Sequence, residues 1–194
     1  MCPSLRSSPS RRRALGSIAA ACCVAVSLAQ AQPARDPVAA AVARIDAGDF
    51  AGAAAMLQPL ARTGHASAAR MLGELHYTGR GVRADDGAAF DLFQRAARGG
   101  DVPAMFWLGR MHLLGHGPIK DDPDADRKAA QWLFEAARRG HADAQYHLGL
   151  LFYAGAGVRK NEQEGSKWIA RAAANGHAAA RGFTSAASEK PGSP

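Results

Sequence analysis

The sequence predicts an all-α fold, a solenoid in which short helix pairs stack side by side. A glycine-containing dipeptide recurs at steps of 36, 40 and 36 residues, as Gly64-His65, Gly100-Asp101, Gly140-His141 and Gly176-His177. Between these dipeptides a longer template repeats, with a Leu-Gly pair, a glycine-rich turn and then an Ala-Ala pair. Only 7% of the residues are aromatic, which suits closely stacked helices better than a β-sandwich. A fixed period of this length is typical of solenoids, which generally present a surface to a partner.

Each copy of the template predicts two helices joined by the glycine-rich turn. The Leu-Gly pairs lie in the first helices, at residues 72–73, 108–109 and 148–149. The Ala-Ala pairs lie in the second helices, at residues 96–97, 136–137 and 172–173. Glycine inside a helix costs about 1 kcal/mol relative to alanine, so a gain must offset it in every copy. We expect that gain to be close approach of the second helix, with the Ala-Ala pair as the facing surface.

The repeats divide the chain into segments. Residues 32–65 are predicted to be a mobile leader followed by a degenerate helix pair, whose second helix contains Pro59. Three clear repeats follow, and residues 178–187 are predicted to form a closing helix. Residues 188–194 are rich in Pro, Gly and Ser and are predicted to be a disordered tail. The repeats span residues 66–101, 102–141 and 142–177.

Side chains suited to helix starts follow the glycine-rich turns. Asp85 and Asn161 are predicted N-caps of the second helices in the first and third repeats. In the second repeat Asp122 precedes Pro123, which we expect at the first helical position. The histidines that end repeats, at 65, 141 and 177, are predicted to be structural.

Residues 1–31 have the organisation of a secretory signal peptide, and part of this segment resembles the twin-arginine type. Four arginines without an acidic residue precede a small, apolar run over residues 14–28 and an Ala-Gln-Ala cleavage pattern at 29–31. The apolar run has about 15 residues, fewer than the roughly 20 that a membrane-spanning helix needs. Residues 10–15 resemble a twin-arginine signal, but Ala14 stands where Phe is usual, so both export routes stay open. We therefore expect a periplasmic or secreted protein with no membrane span in its mature chain.

The mature chain is expected to differ from the whole chain in cysteine content and in charge. Cys2, Cys22 and Cys23 all lie in the predicted signal peptide, so the mature chain would have no disulfide and no thiol chemistry. Removal of the signal peptide takes away four of the 24 basic residues and none of the 17 acidic ones, which lowers the formal net charge from +7 to +3. A balance of +3 does not indicate nucleic-acid binding.

The third repeat carries the clearest resemblance to a known family. Residues 144–149 read Ala-Gln-Tyr-His-Leu-Gly, and they are followed by Phe152, by Gly-Ala-Gly-Val at 155–158, and by Trp168 ahead of the last Ala-Ala pair. This pattern closely resembles the Sel1-like repeat, a relative of the tetratricopeptide repeat, over about residues 66–177. The opening helix pair, with its Asp-Ala-Gly-Asp-Phe turn, is more similar to a plain tetratricopeptide unit.

The resemblance implies a right-handed superhelix of antiparallel helix pairs, with a concave face lined by the first helices. It also implies an adaptor that binds another envelope or secreted protein, or a peptide, and it leaves the oligomeric state open. A cysteine-rich branch of the family is linked to β-lactam or cell-wall fragment binding. A cell-wall-related enzyme or a β-lactam- or peptidoglycan-fragment-binding protein is therefore the alternative. That branch relies on disulfides within its repeats, which the predicted mature chain lacks, so the adaptor is the preferred prediction.

The candidate binding residues are variable positions of the first helices that are predicted to face away from the repeated core. They mix aromatic, arginine and aliphatic side chains, a composition common in interface hot spots. The alternative is that the two aromatic residues pack between neighbouring first helices. The six candidates are Arg70, Glu74, Phe106, Arg110, Tyr146 and Leu150.

We predict no catalytic residue, no cofactor and no metal. His112 and His116 have the spacing of a helical metal pair, but a zinc protease needs Glu after the first histidine, where this chain has Leu113. Ser-x-x-Lys, Gly-x-Ser-x-Gly and Walker-type patterns do not occur. The acidic turn at residues 121–126 is predicted to serve helix capping and solvation.

Overall fold

The computed structural model describes residues 37–188, and all regular structure in this range is helical. The signal peptide predicted for residues 1–31, the leader up to residue 36 and the tail from residue 189 lie outside the described residues. Within them the helices are α1 (Pro37–Asp46), α2 (Phe50–Arg62), α3 (Ala66–Thr78), α4 (Asp86–Arg98), α5 (Val102–Leu114), α6 (Ala125–Arg138), α7 (Ala142–Ala154), α8 (Glu162–Ala174) and α9 (Ala178–Ser188).

Each helix packs against the one before it and the one after it. The most extensive contacts join α3 to α4, α5 to α6 and α7 to α8, and these pairs are joined in turn through α4 with α5 and α6 with α7. The buried side chains form a core that runs continuously from α1 to α8, with a smaller cluster between α7, α8 and α9. This arrangement confirms the predicted all-α solenoid of helix pairs.

Glycines end the first helices and join successive pairs. Gly155 caps α7 with a left-handed backbone (φ 75°), and its N–H donates to the Leu151 carbonyl. Gly157, two residues later, lies directly against the start of α6, because an added Cβ would come within 2.1 Å of the Asp126 carbonyl oxygen. The glycine-rich turn of the third repeat therefore contacts the second helix of the preceding repeat. Gly81 and Gly117 make the corresponding approaches to α2 and α4.

The glycines inside the first helices do allow close approach of the second helices, but the facing residue differs from our expectation. A Cβ added at Gly109 would lie 2.6 Å from Leu133 Cγ, and one at Gly149 would lie 2.6 Å from Ile169 Cγ1. At Gly73 the facing group is the ring of Phe93, at 2.9 Å. Each facing residue stands three positions before the Ala-Ala pair, on the same side of the helix. The prediction of close approach is confirmed, and the assignment of the Ala-Ala pairs as the facing surface was wrong.

The predicted caps are confirmed in the first and third repeats, and the prediction for the second repeat needs correction. Asp85 Oδ1 accepts from the Ala88 N–H at 2.8 Å, and Asn161 Oδ1 accepts from the Glu164 N–H at 3.0 Å. In the second repeat α6 begins at Ala125, so Pro123 lies ahead of the helix rather than at its first position.

Asp122 explains this later start of α6. Its carboxylate accepts from the Asp124 N–H at 3.0 Å and from Lys128 Nζ at 2.6 Å. These two bonds close the loop before the helix begins. The hydrogen bond from Lys128 also holds the pKa of Asp122 below its usual value.

We predict that Gly149→Ala lowers the free energy of unfolding by about 1–3 kcal/mol through overpacking. The new methyl group would meet both Ile169 Cγ1 and, at 2.9 Å, the Gly165 carbonyl oxygen, which is backbone and cannot swing away. This cost opposes the roughly 1 kcal/mol that alanine otherwise gains over glycine in a helix. Urea unfolding followed by circular dichroism measures the difference.

The control is Gly182→Ala in α9, where an added Cβ meets nothing within 4 Å. That variant should be as stable as the parent or more stable. Equal stability of the Gly149→Ala variant and the parent would contradict the close-packing account.

Candidate binding surface on the first helices

The structure connects five of the six candidate residues through side-chain contacts between α3, α5 and α7, and the sixth, Leu150, packs against the cluster of Ile169, Ala172 and Ala180. We call the surface that they form the first-helix face, defined by the fifth and ninth residues of each repeat. The contacts run from α3 to α7 through Trp107 and His147, which neighbour the candidates on α5 and α7. The face is made of Arg70, Glu74, Phe106, Arg110, Tyr146 and Leu150.

The fifth residue of each repeat contacts the last residue of the same repeat. Arg70 Nε lies 3.3 Å from the Asp101 carboxylate. Phe106 stacks on His141 with ring centroids 4.7 Å apart. Tyr146 stacks on His177 at 4.3 Å. The contact is an ion pair in the first repeat and ring stacking in the second and third, but the fifth and last positions of the repeat touch in all three.

The last residue of each repeat also caps the next helix. Asp101 Oδ1 accepts from the Ala104 N–H at 2.8 Å. His141 Nδ1 accepts from the Ala144 N–H at 3.3 Å, and His177 Nδ1 accepts from the Ala180 N–H at 3.1 Å. The structural role predicted for His141 and His177 is therefore confirmed. His65, by contrast, makes no side-chain cap to α3.

Trp107 is the centre of the first-helix face, and sequence reasoning missed it. Its indole Nε1 donates to Glu74 Oε1 at 3.1 Å, and its ring stacks on Phe93 with a centroid distance of 5.5 Å and an interplanar angle of 2°. The Arg110 guanidinium lies 4.9 Å from the centroid of the same ring. Trp107 therefore joins the core to the face. The available signal was the variability of the sixth repeat position, which holds Met71 and His147 in the other repeats.

The candidates differ in how exposed their side chains are and in whether their charges are already paired. Phe106 is only 8% exposed and is packed between first helices, as the alternative interpretation expects. The other five candidates are half-buried. Arg70 Nη1 donates to Glu74 Oε1 at 2.6 Å, so these two charges are already paired. Arg110 contacts aromatic rings and, among the described residues, forms no ion pair with a carboxylate.

The histidines of the first-helix face are held in the neutral form. Burial lowers the pKa of His147, and the positive charge of Arg110 lowers it further. Burial also lowers the pKa of His141, although the charges of Asp143 and Asp101 oppose this. Near neutral pH both rings can therefore stack and accept hydrogen bonds without adding charge to the face.

The histidine pair of the second repeat has a packing role in this structure. His112 is 5% exposed and meets the ring of Phe90 edge-on at 5.7 Å. His116 lies 3.4 Å from the Asp86 carboxylate and 5.6 Å from the Tyr77 ring. Across residues 37–188 no three His, Cys, Asp or Glu side chains are grouped as metal ligands. Nor does any helix there have the length and hydropathy needed to cross a membrane.

Acidification should destabilise the fold between pH 7.5 and 5.5. His112, His141 and His147 have folded-state pKa values below the ordinary 6.5, so the unfolded chain takes up protons first as the pH falls. The stability that these neutral histidines contribute is therefore fully present above about pH 6.5. It is lost as the pH falls from there to the folded-state pKa values. The urea midpoint at pH 5.5 is expected to lie below that at pH 7.5.

The variant His147→Gln should show a smaller shift between the two midpoints, because one of these titrations is removed. The carboxylates with lowered pKa, Asp49 and Asp122, titrate below their ordinary value of 3.8, outside this window. An unfolding midpoint that is equal or higher at pH 5.5 would contradict the assignment of neutral, buried histidines.

Comparison with known proteins identifies the repeats. The family model of the Sel1 repeat matches residues 66–101, 102–141 and 142–177. The search of curated proteins found no match.

Three solved structures illustrate the similarity in fold. A Sel1 repeat protein from Oxalobacter formigenes aligns with a TM-score of 0.67 and 28% identity, covering 74% of this chain and 57% of that one. The protein c5321, a protective antigen of uropathogenic Escherichia coli with an SLR fold, aligns with a TM-score of 0.59 and 33% identity over 63% of this chain and 26% of that one. Helicobacter pylori cysteine rich protein B, at 22% identity and a TM-score of 0.50, covers 75% of this chain and 96% of its own and shares the fold. The chain thus spans just over half the length of the first structure and about a quarter of the second.

Proposed function

The chain belongs to the Sel1 repeat family, whose members generally serve as scaffolds for protein–protein interaction, and we propose that it is an exported, periplasmic adaptor. Its first-helix face would be the concave groove that binds an extended peptide or a surface of another envelope protein. The contacts centred on Trp107 support this proposal most directly, because they hold Glu74 and Arg110 in place before any partner arrives. A surface that needs little reordering loses less entropy on binding.

The side chains that remain available on the first-helix face suit a protein partner. The Arg110 guanidinium lies over the rings of Phe106 and Trp107, and its charge has no carboxylate partner among the described residues. Tyr146 and Leu150, on α7, pack against the cluster of Ile169, Ala172 and Ala180 and stay half-buried. Arginine and tyrosine are enriched among the residues that carry most of the binding energy in protein interfaces.

Site-specific photocrosslinking in cells tests the groove. A photoreactive phenylalanine analogue at Leu150 should form a discrete adduct with a protein partner, because this residue lies on the first-helix face. The same analogue at Lys167, exposed on α8, is the matched control and should form none. Adding Arg110→Glu should reduce the Leu150 adduct several-fold, whereas Arg159→Glu, in an exposed turn of the third repeat, should leave it unchanged. Adducts of equal yield at both positions, or an adduct unaffected by Arg110→Glu, would count against the groove.

Export is tested separately by fractionation and by mass spectrometry of the purified protein. We expect the protein in the periplasmic fraction or the medium, with Gln32 as its first residue after cleavage behind Ala31. Replacing Arg11 and Arg12 by lysine keeps the positive charge, so it should block export only if the twin-arginine route is used. Full-length protein confined to the cytosol would refute this part of the proposal.

A further inference from the structure

Three arginines line one pocket at the edge of the first repeat. Arg62, Arg95 and Arg98 lie around a pocket of about 290 Å³ between the last turns of α2 and α4 and the start of α3. Its floor contains Ala61 and Ala69, which are 4% and 2% exposed. All three arginines are exposed, and none of the six candidates of the first-helix face lines this pocket. We call it the arginine pocket.

The charges of the arginine pocket are not neutralised by the described part of the protein. The ion pairs found between residues 37 and 188 all involve other cations. Arg98 Nη2 reaches only the uncharged amide of Gln94, at 3.4 Å. Asp91 lines the adjoining pocket together with Arg62 and Arg95 but forms no ion pair with either. A cleft lined by charges of one sign attracts counter-ions.

Stabilisation of helix ends does not account for this grouping. Arginines in the last turn of a helix are favoured by the helix dipole, and Arg138 in α6 has such a position. There, however, Glu135 occupies the position that corresponds to Arg95 and pairs with Arg138 at 3.2 Å. The residue that corresponds to His65 is Asp101, another carboxylate. At the next boundary the chain therefore pairs the helix-end cation Arg138 with an acid, whereas no ion pair forms within the arginine pocket.

We propose that the arginine pocket binds an oxyanion, a phosphate or a carboxylate group carried by a ligand. Arginine suits such a group because its planar guanidinium donates two parallel hydrogen bonds to it. The recessed alanine floor gives the volume for the anion and the few atoms attached to it. This function is separate from protein binding at the first-helix face and does not depend on it.

Thermal unfolding of the full purified chain tests the proposal. Inorganic phosphate, at the same ionic strength as a sodium chloride reference, should raise Tm by about 2 °C or more, because a ligand bound only to the folded state stabilises it. In Arg95→Glu, which copies the residue at position 135, the rise should be less than half as large. Arg159→Glu makes the same change of charge in an exposed turn of the third repeat and should respond like the parent.

A second arm uses succinate in place of phosphate. A rise with succinate that Arg95→Glu also abolishes would assign a carboxylate ligand, and a rise with phosphate alone would assign a phosphate. Equal rises in the parent and Arg95→Glu would reflect the general stabilising effect of such anions on proteins and would overturn the proposal. If Arg95→Glu does not fold, Arg98→Gln replaces it, and phosphate-induced amide shifts in the parent must then map to the pocket residues.

Discussion

The rest of the structure depends on one constraint. The two helices of each repeat approach each other to a distance that only glycine permits. Phe93 and Ile169, which face two of these glycines, are completely buried. Burial of these side chains fixes the distance between the two helices of a repeat. That distance in turn sets where the glycine-rich turn between the helices contacts the preceding repeat. A larger residue at the glycine would separate the helices, so it would disturb the stacking between repeats as well as the packing within one.

The last residue of each repeat connects this packing to the first-helix face. His141 accepts from the Ala144 N–H in the first turn of α7 and at the same time stacks on the ring of Phe106. His177 does the same for α9 and Tyr146. In both places a single imidazole therefore ends a repeat, caps the next helix and contacts a side chain of the face. Stability and the shape of the first-helix face are consequently coupled, since a change at either histidine removes a cap and a ring contact together.

The parts of the fold that depend on local chemistry could be predicted from the sequence. Glycine stops, the caps Asp85 and Asn161 and the helix pairs follow from backbone conformation and hydrogen bonding within a few residues. The residue facing each helical glycine could not be predicted, because it depends on how one helix is rotated against another. Trp107 was missed for the same reason, since its contacts with Glu74 and Phe93 join residues 33 and 14 positions away. Pro123 was misplaced because Asp122 bonds forward to Lys128 and delays the helix.

The first-helix face changes its chemistry along the stack, and this limits how a partner could lie on it. On α3 the charges of Arg70 and Glu74 are already satisfied by each other, so exchanging them for a partner's charges gains little. On α5 the Arg110 guanidinium rests on aromatic rings without a carboxylate, so its interaction with an external anion replaces no internal ion pair. On α7 the neutral rings of His147 and Tyr146 and the side chain of Leu150 present apolar surface. Binding energy would therefore come from the α5 and α7 end, where one cation adjoins an apolar patch, and the paired charges on α3 would serve mainly to exclude mismatched partners.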